Sequence, residues 1–284
     1  MQLVRGFAPA LLLGVPLLAL SSCRRPPFEP APGANVIMIC LDSVRPDHLG
    51  CYGYSRDTSP RLDRIAAEGL RFEQAVTNAT WTLPSILTLF TSTYPAAHGR
   101  DNYDKEYNRE HPLPADAPVL PRFLAEKGWR TAGFGHGGWT SQAFGFDRWF
   151  DYWEEGPRFE IDQMVPRCLE WIDTHRDRPF FIYIHTLSPH FPYRPQGTYR
   201  AKFGIDEEKY VPPEDPERVW LPLLDQAKAG KIGERLLAQI VRQYDGGIAF
   251  TDEWIGKLAD GLRERGLDRK TLLVVFADHG EQFL

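Results

Sequence analysis

Three side chains of this sequence, Asp42, Asp278 and His279, form a ligand set that suits one divalent cation. Asp42 follows the apolar run Asn35–Leu41, and Asp278 and His279 follow the apolar run Thr271–Ala277. Carboxylate oxygens and imidazole nitrogens are common ligands of such ions in proteins. Open α/β sheets bind their ligands beyond the carboxyl ends of their strands, so a carboxylate there is more often functional than structural. We therefore expect a metal ion or a phosphate-like anion at this edge.

Thr82 is the candidate nucleophile. The run Thr82-Leu83-Pro84 predicts a helix start with Thr82 as N-cap, followed by a buried face of Ile86, Leu87, Leu89 and Phe90. The free N–H groups of a helix N-terminus suit an anionic ester, and a bound cation lowers the pKa of a neighbouring hydroxyl. The alternative is that Thr82 only caps a core helix.

Two histidines follow predicted strands. His136 stands after Trp129–Phe134 in a glycine-rich loop, where the backbone can approach a ligand closely, although a structural role is equally open. His190 stands after Pro179–Thr186 in an aromatic, proline-bounded loop, a position that favours substrate binding; stacking among the aromatic rings is the alternative. His185, inside the second strand, is interpreted as a hydrogen-bonded core residue.

The elements that must position these side chains alternate between strand and helix. Predicted strands cover Asn35–Leu41, Leu70–Val76, Trp129–Phe134, Pro179–Thr186 and Thr271–Ala277. Predicted helices start at Ser59-Pro60 and at Thr82, and cover Val119–Lys127, Asp162–Arg176 and Ile232–Arg265, the last with a possible kink at Asp245-Gly246-Gly247. The alternation predicts an α/β fold, a mainly parallel sheet sandwiched between helices, with every candidate residue at one edge.

Composition excludes some classes of function. The 284 residues are 43% hydrophobic and 25% charged, which is ordinary for a globular protein. The net charge of −5 gives no reason to expect a nucleic-acid partner. The cysteines after residue 23 are Cys40, Cys51 and Cys168, an odd number that does not suggest a disulfide framework.

Residues 1–23 are interpreted as an export signal. A short apolar run, interrupted by prolines, ends in Leu20-Ser21-Ser22-Cys23, which resembles a bacterial lipoprotein cleavage box. We expect a protein on the periplasmic side of a bacterial membrane, attached only by a lipid on Cys23, with residues 24–34 as a proline-rich tether. An ordinary secretory signal with a chance cysteine is the alternative.

The ordered motifs of the chain resemble those of the sulfatases, in the alkaline phosphatase superfamily. The resemblance begins at residue 35 and covers the rest of the chain. The matching segments are Asn35–Tyr54, Thr82–Ser85, Tyr94-Pro95, His98-Gly99, Phe144–Arg148, Ser188–Tyr193, Tyr244–Gly246 and Ala277–Glu281. Each motif alone is weak, but their ordered combination is specific.

The resemblance implies a role for each candidate residue. Asp42, Asp278 and His279 hold one metal, and Thr82, which also contacts the metal, occupies the nucleophile position. His190 binds the leaving or nonbridging oxygens of the ester, and His136 stands where the family usually has a lysine that contacts the anion. The substrate is then a small-molecule, glycan or lipid ester of sulfuric or phosphoric acid.

Departures from the family pattern favour phosphoester chemistry. Most sulfatases convert the cysteine or serine of a Cys-x-Pro-x-Arg signature to formylglycine, whereas this chain has Thr82 there and Ile86 in place of the arginine. The paired aspartates of many sulfatases are Asp42-Ser43 here. A threonine with one metal resembles instead the phosphoglycerol transferases and phosphodiesterases of the superfamily, and implies a phospho-Thr82 intermediate. Because His279 contributes nitrogen, Mn²⁺ or Zn²⁺ is favoured, with Ca²⁺ as the alternative.

The resemblance also predicts that residues 35–284 are an incomplete catalytic domain. In the family the sheet and a smaller C-terminal subdomain continue beyond the Asp-His-Gly-Glu motif, so we expect a fragment or truncated product with low stability and little activity. Together with Thr82 and Ile86, this ending supports a second hypothesis, a degenerate family member that binds an anionic ligand without turnover.

Overall fold

The computed structural model describes residues 33–157, 159–205, 222–223, 225–226 and 228–283. The predicted signal peptide, its Cys23 and nearly all of the predicted tether lie outside the described residues. The described residues from Gly33 onward belong to one compact unit.

A parallel sheet forms the centre of this unit. Its strands in the order of the sheet are β3 (Tyr152–Glu155), β2 (Arg130–Gly135), β4 (Phe180–Thr186), β1 (Asn35–Leu41) and β5 (Thr271–Phe276). Every neighbouring pair runs parallel, so the predicted α/β class and the mainly parallel sheet are confirmed. The four-residue strand β3 was not predicted, because Tyr-Trp-Glu-Glu is neither an apolar run nor a clear alternation.

The helices cover both faces of the sheet. In chain order they are α1 (Pro60–Glu68), α2 (Thr82–Thr91), α3 (Pro95–His98), α4 (Lys105–Glu110), α5 (Leu120–Glu126), α6 (Ile161–His175), α7 (Gly197–Phe203) and α8 (Glu234–Glu264). None of these described helices is long and apolar enough to cross a membrane.

Strand alternation divides the core into two apolar clusters. In β1, Ile37, Ile39 and Leu41 face the cluster that includes α6 and α8, whereas Met38 and Cys40 face the cluster that includes α2. Both faces of the central strands are therefore buried, which is why their sequences read as continuous apolar runs. The three described cysteines are free thiols, and two of them, Cys40 and Cys168, are buried.

One prediction about secondary structure is wrong. Residues 70–76 form no strand: Leu70, Phe72 and Val76 are 67%, 69% and 89% exposed, so these apolar side chains are not part of a sheet face. At Asp245-Gly246-Gly247, where the sequence indicated a possible kink, α8 continues as one helix. The glycines instead allow close contact with the loop after β4, since a Cβ on Gly247 would lie 2.8 Å from the carbonyl oxygen of Ser188.

Candidate active site

The carboxyl ends of β1 and β5 bring Asp42 and Asp278 together. The two strands pair in parallel, and each aspartate lies just after its strand. Both aspartates are buried, each with 1% of its surface exposed. Asp42 Oδ1 and Asp278 Oδ2 are buried and have no hydrogen-bond partner among the described residues. Burial of unpaired carboxylate oxygens is costly, and a cation is one of the few groups that can compensate it.

The other oxygen of each carboxylate is held by the protein. Asp278 Oδ1 accepts hydrogen bonds from the backbone N–H groups of Ser43, at 3.2 Å, and His279, at 3.0 Å. Asp42 Oδ2 lies 3.0 Å from His185 Nε2. One oxygen of each aspartate is thus fixed, while the other is available to a ligand.

His279 completes a group that fits one divalent cation. Its Nε2 lies 3.6 Å from Asp42 Oδ1 and 3.5 Å from Asp278 Oδ2. One possible ligand atom from each of Asp42, Asp278 and His279 lies within 4.8 Å of the others. Two carboxylates and an imidazole match the donors of Zn²⁺ and Mn²⁺, so the residues present fit the predicted ion.

The electrostatics of the two aspartates are unequal. Burial alone would raise the pKa of Asp42, but His190, His185 and His279 outweigh burial and hold this pKa below its usual value. Burial, followed by the nearby charge of Asp42, raises the pKa of Asp278. A second negative charge beside Asp42 is therefore unfavourable without a cation.

Thr82 Oγ1 faces this carboxylate cluster. It lies 3.2 Å from His279 Nε2 and 3.4 Å from Asp42 Oδ2, and Thr82 is 5% exposed. The prediction that Thr82 is the N-cap is wrong: Trp81 is the N-cap, and Thr82 is the first residue of α2. Its hydroxyl is therefore directed to the carboxylate cluster and does not cap the helix.

The next turn of α2 fixes the position of Thr82. Ser85 Oγ donates a hydrogen bond to the carbonyl oxygen of Asp278 at 2.7 Å, which ties the helix to the end of β5. Ile86 is completely buried in the apolar cluster on this side of the sheet. At position 86, where the sulfatase signature has an arginine, this chain therefore has an apolar side chain packed in the core.

His190 lies at the same sheet edge. Its Nδ1 donates a hydrogen bond to the carbonyl oxygen of Phe191, and its Nε2 is 3.9 Å from Asp42 Oδ1. Burial lowers the pKa of His190, but the charge of Asp42 and the hydrogen bond to Phe191 outweigh it and raise this pKa overall. The predicted proximity of His190 to the aspartates is thus observed, while its role stays a prediction.

His136 has a different partner. Its Nε2 lies 3.2 Å from Glu160 Oε1, and Glu160 Oε2 accepts a hydrogen bond from Ser188 Oγ at 2.6 Å. Among the described residues, no hydrogen bond or ion pair joins His136 to Thr82, Asp42 or Asp278. Glu160 therefore links the loops that follow β2 and β4, and the predicted contact of His136 with the anion stays untested.

Sequence reasoning overlooked two contributors to this site. His185 was interpreted as a core residue; it is buried and hydrogen-bonded, but one of its partners is Asp42. The available signal was its position one residue before the end of a strand in the predicted sheet. Ser85 was quoted only as part of a motif, and no local pattern indicated its contact with Asp278, 193 residues away.

Comparison with known proteins identifies relatives of the whole described unit. The family model for Sulfatase matches residues 34–283. N-acetylglucosamine-6-O-sulfatase of Bacteroides thetaiotaomicron is 24% identical over 223 residues, covering 72% of this chain and 39% of the relative. Human N-sulphoglucosamine sulphohydrolase is 28% identical over 286 residues, covering 94% of this chain and 53% of the relative. The chain spans about half the length of these relatives, or less.

Solved structures share the fold. A protein in complex with its substrate D-glucosamine-2-N,6-O-disulfate matches with a TM-score of 0.69 at 17% identity, covering 88% of this chain and 66% of that one. The phosphonate monoester hydrolase of Agrobacterium radiobacter matches with a TM-score of 0.65 at 19% identity, covering 88% of this chain and 63% of that one. The C-terminal periplasmic domain of EptC from Escherichia coli, in complex with Zn, matches with a TM-score of 0.62 at 18% identity, covering 88% of this chain and 65% of that one.

Proposed function

The chain belongs to the sulfatase family, and we propose that it carries the metal site and the nucleophile of an exported, lipid-anchored hydrolase that cleaves phosphoesters in preference to sulfate esters. The observation that carries the proposal is the contact of Thr82 Oγ1 with His279 Nε2, at 3.2 Å, beside two buried carboxylate oxygens that have no hydrogen-bond partner among the described residues.

Asp42, Asp278 and His279 would hold one divalent cation, Mn²⁺ or Zn²⁺ in preference to Ca²⁺. When bound, such an ion would neutralise the nonbridging oxygens of the ester and lower the pKa of a neighbouring hydroxyl. Each aspartate can offer the oxygen that the protein leaves unpaired, and His279 can offer Nε2. The described ligand set is small, which suits an ion of low coordination number better than Ca²⁺, which takes six to eight oxygen ligands.

Thr82 Oγ1 attacks the phosphorus atom in this proposal. The hydroxyl lies within reach of Asp42 Oδ2 at 3.4 Å, so its proton can be directed into the carboxylate cluster while an oxygen lone pair attacks. The free N–H groups of Thr82 and Leu83 at the start of α2 favour the negative charge on the ester. Pro84, at the third position of α2, contributes no N–H.

His190 assists the leaving group. The negative charges around it favour its protonated form, and its Nδ1 is already engaged by Phe191, so the proton available to a substrate is on Nε2. As the bond from phosphorus to the leaving oxygen breaks, this proton passes to that oxygen. Water then attacks the phosphorus atom of phospho-Thr82, and the bond from phosphorus to Thr82 Oγ1 breaks. One hydrogen of the water stays on the released phosphate, the other passes to His190 Nε2, and the proton held by the carboxylate cluster returns to Thr82 Oγ1.

Two features favour phosphate over sulfate as the reacting group. Thr82 carries a methyl group on Cβ, so its oxidation would give a ketone, whereas the sulfatase aldehyde arises from cysteine or serine. Ile86 is buried among apolar side chains, so that position supplies no cation to the site. Fold neighbours include the phosphonate monoester hydrolase and the Zn complex of EptC, whereas the curated relatives carry sulfatase names.

The second candidate function is the binding of an anionic ligand without turnover. The observation that favours it is the same Ile86: without a cation at that position, the site has fewer groups to stabilise the charge that develops during transfer. This candidate keeps the metal site and predicts no role for the hydroxyl of Thr82.

The test is turnover of three aryl esters, a phosphate monoester, a phosphate diester and a sulfate, with Mn²⁺, Zn²⁺ or Ca²⁺ added. We expect phosphoester turnover with Mn²⁺ or Zn²⁺, its loss in Thr82→Ala and substantial retention in Thr82→Ser, which keeps the hydroxyl. Circular dichroism of each variant checks that it is folded.

Sulfate turnover in preference to phosphate would refute the phosphoester assignment. Full activity of Thr82→Ala would refute the nucleophile assignment. Absence of turnover by a folded protein that still binds inorganic phosphate would support the second candidate.

A further inference from the structure

A chain of buried polar groups lies behind Asp42, on the α2 side of the sheet. Tyr183 Oη lies 2.7 Å from His185 Nδ1, and His185 Nε2 lies 3.0 Å from Asp42 Oδ2. Tyr183 is completely buried and His185 is 1% exposed. A buried imidazole with both nitrogens engaged has its ring orientation fixed by its two partners.

The register of the sheet creates this arrangement. Strand alternation in β4 directs Tyr183 and His185 to the same face, and His185 stands beside Cys40 of β1. Asp42 lies two residues beyond Cys40, and its backbone N–H bonds to the carbonyl oxygen of Thr186 at 3.2 Å, which continues the pairing of the two strands. The side chains of Tyr183 and His185 therefore meet Asp42 in the turn directly after β1.

The chemistry of the partners assigns the protons. An ionised carboxylate can only accept, so Nε2 of His185 carries a hydrogen and donates it to Asp42 Oδ2. In neutral histidine the other nitrogen is then an acceptor, which matches the hydroxyl of Tyr183 as donor. Asp42 thus selects the tautomer, and the hydroxyl of Tyr183, as donor to Nδ1, supports it.

We propose that His185 is a positioning residue for the metal centre, which holds Asp42 Oδ2 so that Oδ1 alone faces the ion, and that Tyr183 supports the required tautomer by donating to Nδ1. The inference rests on the proposed function, because it assumes that Asp42, Asp278 and His279 bind the ion. Asp278 has its equivalent anchor in two backbone N–H groups, whereas the anchor of Asp42 is a side chain that substitution can remove.

The anchor also bears on the choice of metal. With Oδ2 engaged by His185, Asp42 offers a single oxygen, which suits the small coordination shell of Zn²⁺. Ca²⁺ uses more oxygen ligands and accepts bidentate carboxylates. Loss of the anchor frees Oδ2, so it should weaken Zn²⁺ binding more than Ca²⁺ binding.

Cys40 provides an alternative that the same experiment separates. Its thiol forms a second group of possible ligands with His185 and Asp278, all within 4.8 Å of one another. If a soft ion used that group, the thiol would contribute directly and His185 would be a ligand. The engagement of both nitrogens of His185 by Tyr183 and Asp42 favours the positioning role.

The test measures dissociation constants of Zn²⁺ and Ca²⁺ by calorimetry or chelator competition on the full chain, without substrate. We expect His185→Leu to weaken Zn²⁺ binding by about 10- to 100-fold, the usual effect of removing a group that orients a metal ligand. His185→Gln, whose amide can donate to Asp42, should restore most of this affinity, and Tyr183→Phe should weaken it by less than His185→Leu. The loss of Ca²⁺ affinity should be smaller in each case.

His48 supplies a matched control. It is also buried and pairs with a buried aspartate, its Nδ1 lying 2.7 Å from Asp245 Oδ1, but Asp245 is not among the proposed ligands. His48→Leu should therefore lower thermal stability without changing metal affinity. If His185→Leu does not fold, His185→Gln and Tyr183→Phe carry the comparison.

Four results would overturn the inference. They are unchanged Zn²⁺ affinity in both His185→Leu and Tyr183→Phe, an equal loss in His48→Leu, an equal fold-loss for Ca²⁺ and Zn²⁺, and a loss in Cys40→Ala as large as in His185→Leu. Absence of any metal binding by the wild-type chain would refute the metal site together with this inference. Metal binding with the expected variant pattern but no ester turnover would refute the proposed chemistry and leave the inference supported.

Discussion

Gly247, in the middle of α8, allows this helix to lie against the loop that carries His190. A Cβ at this position would lie 2.8 Å from the carbonyl oxygen of Ser188 and 3.2 Å from Cα of Pro189, both backbone atoms. Gly256, also in α8, would place its Cβ 2.8 Å from Cγ of Arg61, which belongs to a flexible side chain. The two glycines therefore form a matched pair: the shortest contact is equal, but at Gly247 it is with backbone atoms and at Gly256 with a side chain.

The magnitude follows from this difference. Alanine is favoured over glycine inside a helix by about 1 kcal/mol, and this gain is common to both substitutions. To restore ordinary contact, the backbone at Ser188 must move by about 0.6 Å, and overpacking of this kind typically costs about 1–3 kcal/mol. Gly247→Ala should thus be less stable than Gly256→Ala by about 1–3 kcal/mol, since the helix gain cancels in the comparison.

The assay is urea unfolding of both variants and the wild type, with the free energy of unfolding compared at equal slope. The same displacement moves the loop that holds His190, so phosphoester turnover by the folded Gly247→Ala variant should fall, whereas Gly256→Ala should keep it. Equal stability of the two variants would show that α8 is not tightly packed on this loop. Lower stability of Gly247→Ala with unchanged turnover would show that α8 is packed on this loop but that the packing does not determine the position of His190.

Three further outcomes test other parts of the molecule. Zn²⁺ at about 100 times its dissociation constant should stabilise the protein by about 2.7 kcal/mol, which corresponds to a rise in melting temperature of roughly 5–10 °C. Differential scanning calorimetry measures this rise, and Asp278→Asn should abolish it. Burial raises the pKa of Asp252 to about 6, so between about pH 4 and pH 6 the folded state binds a proton that the unfolded state has lost. The stability of the wild type relative to Asp252→Asn should therefore fall as the pH rises from about 4 to 6 and then level off. A constant difference in stability over this range would contradict the raised pKa. Ser85→Ala should lower stability by about 0.5–1.5 kcal/mol and lower phosphoester turnover, because the bond that ties α2 to Asp278 is lost, and a variant with full turnover would show that Thr82 is held by other contacts.

Local sequence patterns determined most of the sheet. β1 and β4 are central, buried strands and β5 is a partly buried edge strand, but all three have continuous apolar runs in the sequence, and Asp42, Asp278 and His279 follow such runs directly. Parallel strands have their carboxyl ends at one edge, so the sequence alone predicted that these residues lie at a common edge. β3 has no such run and was missed.

The tertiary structure decided which atoms meet. Thr82 and His279 are 197 residues apart, and their contact depends on the placement of α2 over the end of β5, which no local pattern specifies. The same is true of His185, whose strand position predicted burial, whereas its bond to Asp42 depends on β4 being the neighbour of β1. Strand order and helix placement result from the packing of the whole core, since many orders bury the same apolar runs. The sequence by itself therefore determined the ligand types and their common edge, and only the fold decided which carboxylate oxygens are fixed and which stay unpaired.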